Sequence, residues 1–305
     1  MKAVFTHKAA SIYDDKPEER YHFPDTYLRP AQAAVDDFIL YYEPGRVGAH
    51  DRGRYGRRAY VAVAKVTGIR PDLARDGFFY ADIDPSTYVT FDRAVPFREG
   101  QRYYERQLRR EDGGTSKGAF GRAVRPIDDH EFTAILTAGF AAELARDESE
   151  RQPDLILPAG MMEAAADFER PVIERVLSRP VRDAAFRHAV QAVYQSTCAM
   201  TGIKLVNGGG RSEAQAAHIR PVAERGPDSI RNGLALSGTV HWMFDRGLVS
   251  LGDPPDYPIL LSRHGLPDNV RRLFHPDMLL RKPADQRFWP SPAYAEFHRN
   301  QVFKG

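Results

Sequence analysis

Two periodicities divide the chain. Up to about Ile127, apolar positions come in short runs rich in aromatic and β-branched residues: Phe38–Tyr42, Ala59–Val66, Phe78–Ile83 and Tyr88–Phe91. Pro44-Gly45, Gly68, Pro71-Asp72 and Asp84-Pro85 punctuate them, so the pattern predicts separate strands joined by turns. Several short strands in succession predict a small barrel or curled sheet rather than a βαβ layer. A short helix over Pro30–Asp37 is expected to lead into them. Beyond Ile127 the spacing turns helical. Asp128–Arg146 opens with acidic residues and places Phe132, Ile135, Leu136, Phe140 and Leu144 at i, i+3/i+4 intervals, and Arg182–Met200 places Phe186, Val190, Val193 and Tyr194 on one face. The polar, Pro-containing stretch 147–158 is the expected linker, giving domains 1–146 and 159–305.

A compact pattern follows the second helix. Ile203–Val206 reads as a strand, Asn207-Gly208-Gly209-Gly210 as a turn, and Glu213–Ile219 as a second strand with His218 near its end. After a loop containing Pro221, Gly226 and Pro227 comes Asn232-Gly233-Leu234-Ala235-Leu236. Ser237 is the expected N-cap of a short helix from Val240 to Asp245, closed by Gly247. His241 and Asp245 stand four apart and share a helix face, where a His/Asp pair can hold a divalent cation. His218 is a spare imidazole, a group suited to taking a proton from water. Each residue alone also has a structural reading: His241 as a satisfied helix histidine, His218 as a buried strand end, Asn232 as a turn residue before Gly233, Asp245 as an exposed helix-end charge. Their joint arrangement favours chemistry.

Composition bounds the rest. At 305 residues with 42% hydrophobic and 28% charged positions, two packed domains are expected. No apolar run reaches the ~18–20 residues of a membrane span, and the start MKAVFTHKAA lacks the apolar stretch of a signal peptide, so the expected location is the cytoplasm. The single cysteine, Cys198, excludes an internal disulfide and any zinc site built on paired cysteines. Net charge is +2, which says little about partners, but Arg93–Arg125 holds nine basic residues against four acidic ones. Arginine dominates this stretch, which reads either as a solvated face or as a surface for phosphate and base edges.

The segment Ala216-Ala217-His218-Ile219-Arg220-Pro221, then Asn232-Gly233-Leu234-Ala235-Leu236, then His241-Trp242-Met243-Phe244-Asp245-Arg246-Gly247-Leu248 strongly resembles the HNH endonuclease family, whose fold is a ββα-metal finger. The resemblance covers roughly Arg182–Ser250, and Tyr294–Arg299 is similar to the end of related HNH proteins. It implies His218 as general base, Asn232 as the residue that fixes the loop and orients that histidine, and His241 as a metal ligand with Asp245 as the second. Arg220 and Arg246 would contact phosphate. The bound ion (Mg²⁺, Mn²⁺, Co²⁺ or Ni²⁺) would stabilise charge on the scissile phosphate and the leaving oxygen. Many HNH enzymes carry an Asp or His ligand just before the base, where this chain has Ala217. Without cysteine pairs, the finger is expected to be held by Val206, Ile219, Leu234, Leu236 and Phe244.

The first domain has features of a nucleic-acid reader: aromatic-rich strands, the loop arginines Arg52, Arg54, Arg57 and Arg58, and the basic segment Ser116–Arg122 with Lys117 and Arg122. The runs around Tyr21-His22-Phe23-Pro24, Phe38–Pro44, Ala59–Ala62 and Phe79-Tyr80-Ala81 resemble the PUA superfamily, which includes the EVE, ASCH and SRA modified-base readers. That resemblance implies a base pocket, with Tyr21, His22, Phe23, Tyr41, Tyr42, Tyr80 and Asp82 as candidates. Tyr41 and Tyr42 must face opposite ways in a strand. The expected fold is therefore α+β: a PUA-like β-barrel followed by an HNH ββα-metal domain with flanking helices. This arrangement resembles the type IV modification-dependent restriction endonucleases. It implies cutting of double-stranded DNA that bears a modified base such as 5-methylcytosine or 5-hydroxymethylcytosine, and a homodimer is expected because one finger cuts one strand. An HNH nuclease indifferent to modification, or a nucleic-acid-binding protein with a degenerate finger, are the alternatives.

Overall fold

In the computed structural model, residues 1–8, 13–45, 56–151 and 172–305 are described. Arg52, Arg54 and positions 152–158 of the expected linker lie outside them. The chain divides into two compact units, Met1–Ala185 and Phe186–Gly305. That division falls later than the expected linker, whose first residues, 147–151, are helical.

The first unit is built on β1 (Ala3–Thr6), β2 (Arg20–Pro24), α1 (Leu28–Gln32), β3 (Phe38–Glu43), β4 (Ala59–Pro71), β5 (Phe78–Pro96), β6 (Arg98–Glu99), β7 (Arg102–Tyr103), α2 (Lys117–Phe120), β8 (Val124–Pro126), α3 (Asp129–Gly139), α4 (Ala141–Arg151) and α5 (Val172–Val176). Six strands form one sheet in the order β2-β5-β4-β3-β1-β8, with β1 parallel to β3 and every other pair antiparallel. With β2 and β8 as its edges, the sheet is a curled half-barrel in an α+β fold.

The curl has a local cause. Phe78–Ile83 and Tyr88–Phe91, expected as two strands, are one strand. Lys65 pairs with Asp84 and Val63 with Val89, so five steps along β5 span only two along β4. Inside this bulge, Asp84 Oδ1 accepts from Ser86 N at 2.9 Å and Ser86 Oγ at 2.7 Å, and Lys65 N donates to Thr87 Oγ1 at 2.9 Å. The Asp-Pro signal thus bends the strand without ending it.

Alternation along the strands fills two cores. Phe5, Tyr21, Phe23, Ile39 and Tyr41 pack on one face with Ala31 of α1. Val4, Leu40, Tyr42 and Tyr60 pack on the other with Phe132, Ile135 and Leu136 of α3. A capping box starts α3: Glu131 N donates to Asp128 Oδ1 at 2.7 Å, and Asp128 N to Glu131 Oε2 at 3.4 Å. The expected helix Asp128–Arg146 is broken at Phe140, where Gly139 lies so close to Phe91 that a Cβ would stand 2.5 Å from its ring.

Arg125 departs from the basic surface expected of its stretch. It is fully buried, with Nε and Nη2 each donating to Glu105 at 2.8 Å and Nη1 to Thr6 Oγ1 and Arg122 O at 3.0 Å. Tyr60 donates to the same carboxylate at 2.6 Å, and burial together with that charge pushes its phenol pKa well up.

The second unit begins within α6 (Arg179–Val193) and continues through β9 (Gln215–His218), β10 (Gly233–Leu236), α7 (Gly238–Asp245), β11 (Val249–Leu251), β12 (Ile259–Leu261) and α8 (Pro292–Gln301). Helix α6 ends before Met200 because Gln195 and Ser196 take left-handed φ values of 51° and 57°. Antiparallel pairing sets His218 opposite Gly233 and Gln215 opposite Leu236. Ile219, Leu234, Leu236 and Phe244 are fully buried in the core, as expected of a finger held by packing. Val206 is not part of it: Ile203–Val206 forms no strand, only the Val206–Ser212 bridge, and Val206 is 46% exposed. Among the described residues, no helix is long and apolar enough to cross a membrane.

Candidate active site

The loop between β9 and β10 is closed by one side chain. Asn232, fully buried, donates through Nδ2 to Arg220 O at 2.9 Å and Pro227 O at 3.0 Å, and accepts from Arg220 N at 2.8 Å. Gly226 makes the approach possible, since a Cβ there would stand 1.9 Å from Arg220 O. Asn232 therefore ties both ends of Arg220–Pro227 together, with every polar atom of its amide engaged.

That tie places Asp228 beside His218. The Asp228 carboxylate is 1% exposed, and its Oδ1 lies 2.9 Å from His218 Nε2. The imidazole lies flat on Phe186 of α6, centroids 3.8 Å apart and planes 8° from parallel. A carboxylate only accepts, so the ring proton sits on Nε2 and Nδ1 carries the lone pair. The His218 side chain keeps 20% of its exposure, leaving an edge open to water. Asp228 was not anticipated. It stands ten residues from His218, in a Gly-Pro-Asp-Ser sequence that reads as an ordinary turn.

His241 and Asp245 come together on α7, His241 Nε2 standing 3.5 Å from Asp245 Oδ2. Gln215 Oε1 of β9 lies 2.9 Å from His241 Nδ1 and, as an amide oxygen, accepts its proton, leaving the Nε2 lone pair toward Asp245. Side-chain exposures of 22% and 58% keep both donors accessible. One imidazole nitrogen and one carboxylate oxygen are donors that suit a divalent ion. Ala217, which stands just before His218, is 1% exposed in the core. The N-terminus of α7 is capped by Glu213, whose Oε1 accepts from Gly238 N at 2.8 Å. Ser237 occupies the N-cap position without a side-chain cap bond.

The remaining candidates scatter. The Arg220 guanidinium lies 4.8 Å from the Phe297 ring centroid and donates to Glu224 O at 2.7 Å, while Arg246 is exposed. In the first unit, Tyr21, Phe23, Tyr41 and Tyr42 are each at most 3% exposed, the first three in one core and Tyr42 in the other. His22 and Tyr80 stack with centroids 4.5 Å apart at 19°, with the Arg70 guanidinium 4.4 Å and that of Arg20 5.5 Å from the Tyr80 ring. Asp82 pairs with Arg70 at 3.0 Å. Lys117 and Arg122 are exposed at either end of α2.

Residues 198–252 match the HNH endonuclease family. Among solved structures, the chain aligns with a modification-dependent TagI restriction endonuclease over 98% of its own length and 81% of that chain, at 14% identity and a TM-score of 0.32. It aligns with the type IV phosphorothioation-dependent restriction endonuclease ScoMcrA over 79% of its length and 49% of that chain, at 16% identity and a TM-score of 0.18. No curated protein matches. Neither structural likeness is close enough to bear on function. The family match spans the Asn232-tied loop, His218 and the His241–Asp245 pair together: residues 198–252 are an HNH endonuclease domain, and the chain that carries them is a nuclease.

Proposed function

We propose that the chain is a modification-dependent DNA endonuclease, in which the first unit reads a modified base and the HNH domain hydrolyses a phosphodiester bond nearby. The observation that carries the catalytic half is the pairing, within one HNH domain, of a histidine whose Nδ1 is free to accept a proton and a His/Asp pair open to solvent. The reading half is supported by the curled sheet, treated as PUA-like, and by the His22–Tyr80 stack flanked by Arg20 and Arg70, a combination suited to an unpaired base and its backbone. A 5-substituted cytosine is the proposed base.

In the proposed reaction, His218 Nδ1 takes a proton from water as the water oxygen attacks phosphorus. The P–O bond to the leaving oxygen breaks, and solvent returns a proton to that oxygen. Phe186 and Asp228 fix the ring plane; Asn232 holds the loop that brings Asp228 there. His241 and Asp245 would hold a divalent ion that, when bound, offsets negative charge on the phosphate and leaving group. Because each chain has one such base, two copies acting as a homodimer would cut both strands.

The test is cleavage of matched plasmids, unmodified or carrying 5-methylcytosine, 5-hydroxymethylcytosine or N6-methyladenine, with Mg²⁺, Mn²⁺, Co²⁺ or Ni²⁺. Cutting confined to a cytosine-modified plasmid and lost in His218→Ala is expected. Equal cutting of all plasmids would overturn the reading role, and cutting that survives His218→Ala would overturn the catalytic assignment.

A further inference from the structure

We infer that Asp228 is a positioning residue for cleavage: it holds the His218 proton on Nε2, so that Nδ1 is always the basic nitrogen. The inference deepens the assignment of His218 as general base and rests on it.

A neutral imidazole carries its proton on either nitrogen, and only the unprotonated one can accept from water. A solvated histidine populates both forms and turns about its side-chain torsions. Here both freedoms are removed. Stacking on Phe186 at 3.8 Å and 8° fixes the plane, and Asp228 Oδ1 at 2.9 Å from Nε2 selects the tautomer. The carboxylate is 1% exposed, and the loop carrying it is closed by the Asn232 bonds to Arg220 and Pro227. When Nδ1 takes a proton the ring becomes a cation, and the facing carboxylate stabilises it. Asp228 thus acts on the histidine both before and after proton transfer, without touching DNA.

Asp228→Asn tests this with little change of volume. An amide presents either an acceptor oxygen or a donor NH₂, and the NH₂ orientation favours the lone pair on Nε2 and the proton on Nδ1. The turnover rate on the plasmid cut by the native protein is expected to fall at least about 100-fold, with DNA affinity unchanged. Long-range ¹H–¹⁵N correlation spectra of the full chain, with the His218 signals identified by their loss in His218→Ala, are expected to show the Nε2–H form in the native protein and its depletion in Asp228→Asn. Native-rate cutting by Asp228→Asn, or an Nδ1–H form of His218 in the native protein, would overturn the inference. The native spectrum decides even if the variant does not fold. If His218→Ala cuts normally, the base assignment itself has failed; if it is dead while Asp228→Asn cuts at full rate, only the role of Asp228 has.

Discussion

His298 shows what burial does to one ionisable side chain. It is 2% exposed, stacked on Phe244 at 3.7 Å, with Nδ1 2.9 Å from Ser250 Oγ and Nε2 3.1 Å from Phe244 O. Burial lowers its pKa from 6.5 to about 4, against the opposing pull of the Phe244 carbonyl. The unfolded chain takes up the proton near pH 6.5, the folded one only near pH 4. This contribution to stability is therefore complete above pH 6.5 and is lost as the pH falls toward 4, amounting to about 3 kcal/mol. Thermal midpoints between pH 7 and pH 4 should fall more steeply for the native protein than for His298→Phe; equal slopes would refute the assignment. At this scale the sequence was most legible where helical spacing fixes neighbours, as in the four-residue step that brings His241 to Asp245. It was opaque at Asp228, which meets His218 only because Asn232 and Gly226 fold the loop back.

Among the elements, α7 depends on what holds its two ends. Glu213 caps the first, and the second closes with Leu248 N on Met243 O at 2.9 Å and Gly247 N on Phe244 O at 3.0 Å. Gly247 has φ +71°, and a Cβ there would stand 2.0 Å from Val302 O, just beyond α8. Gly265 has a similar φ of +78° but meets only a Leu248 methyl at 3.5 Å. Gly265→Ala should cost about 1–2 kcal/mol from backbone conformation alone, and Gly247→Ala clearly more, because α8 must also move. Denaturant midpoints of the two variants measure the difference, and equal losses would show that the approach of Val302 is unimportant. Gly247 was legible as a helix stop; its contact with a segment 55 positions on was not. The same holds for strand ends. Apolar runs located β3, β4 and β5, but Asp84-Pro85 read as a terminator because sequence cannot show that β4 continues to pair past it. Ile203–Val206 had strand composition and found no partner beyond the Val206–Ser212 bridge.

Across the whole molecule, legibility followed how chemistry is encoded. The proposed catalytic residues are a few polar side chains at fixed spacing, and they lie within residues 198–252, which match the HNH endonuclease family. The proposed reading half is written in aromatics, which serve cores and base pockets equally well. Alternation assigned Tyr41 and Tyr42 to opposite faces, yet both faces proved to be packed, and His22 with Tyr80 emerged as a pair only through the register that sets them opposite each other. The net charge of +2 gives little long-range attraction to DNA. Arg20, Arg57 and Arg70 face Asp14, Glu43 and Asp82, whereas Lys117 and Arg122 are exposed.

The buried Arg125–Glu105 pair restricts which descendants of this chain can exist. Losing either partner strands the other's charge in the core, at about 3–5 kcal/mol, a large part of the roughly 5–15 kcal/mol that separates folded from unfolded in most proteins. Replacing both with apolar residues of similar size is near neutral. Glu105→Leu and Arg125→Met should each lower the unfolding midpoint strongly, with the double variant recovering most of the loss; additive losses would contradict this. Single steps away from the pair are barred while the paired step is open, so in diverging lineages positions 105 and 125 should change together or stay fixed, a footprint of the fold readable in ancestry without any structure.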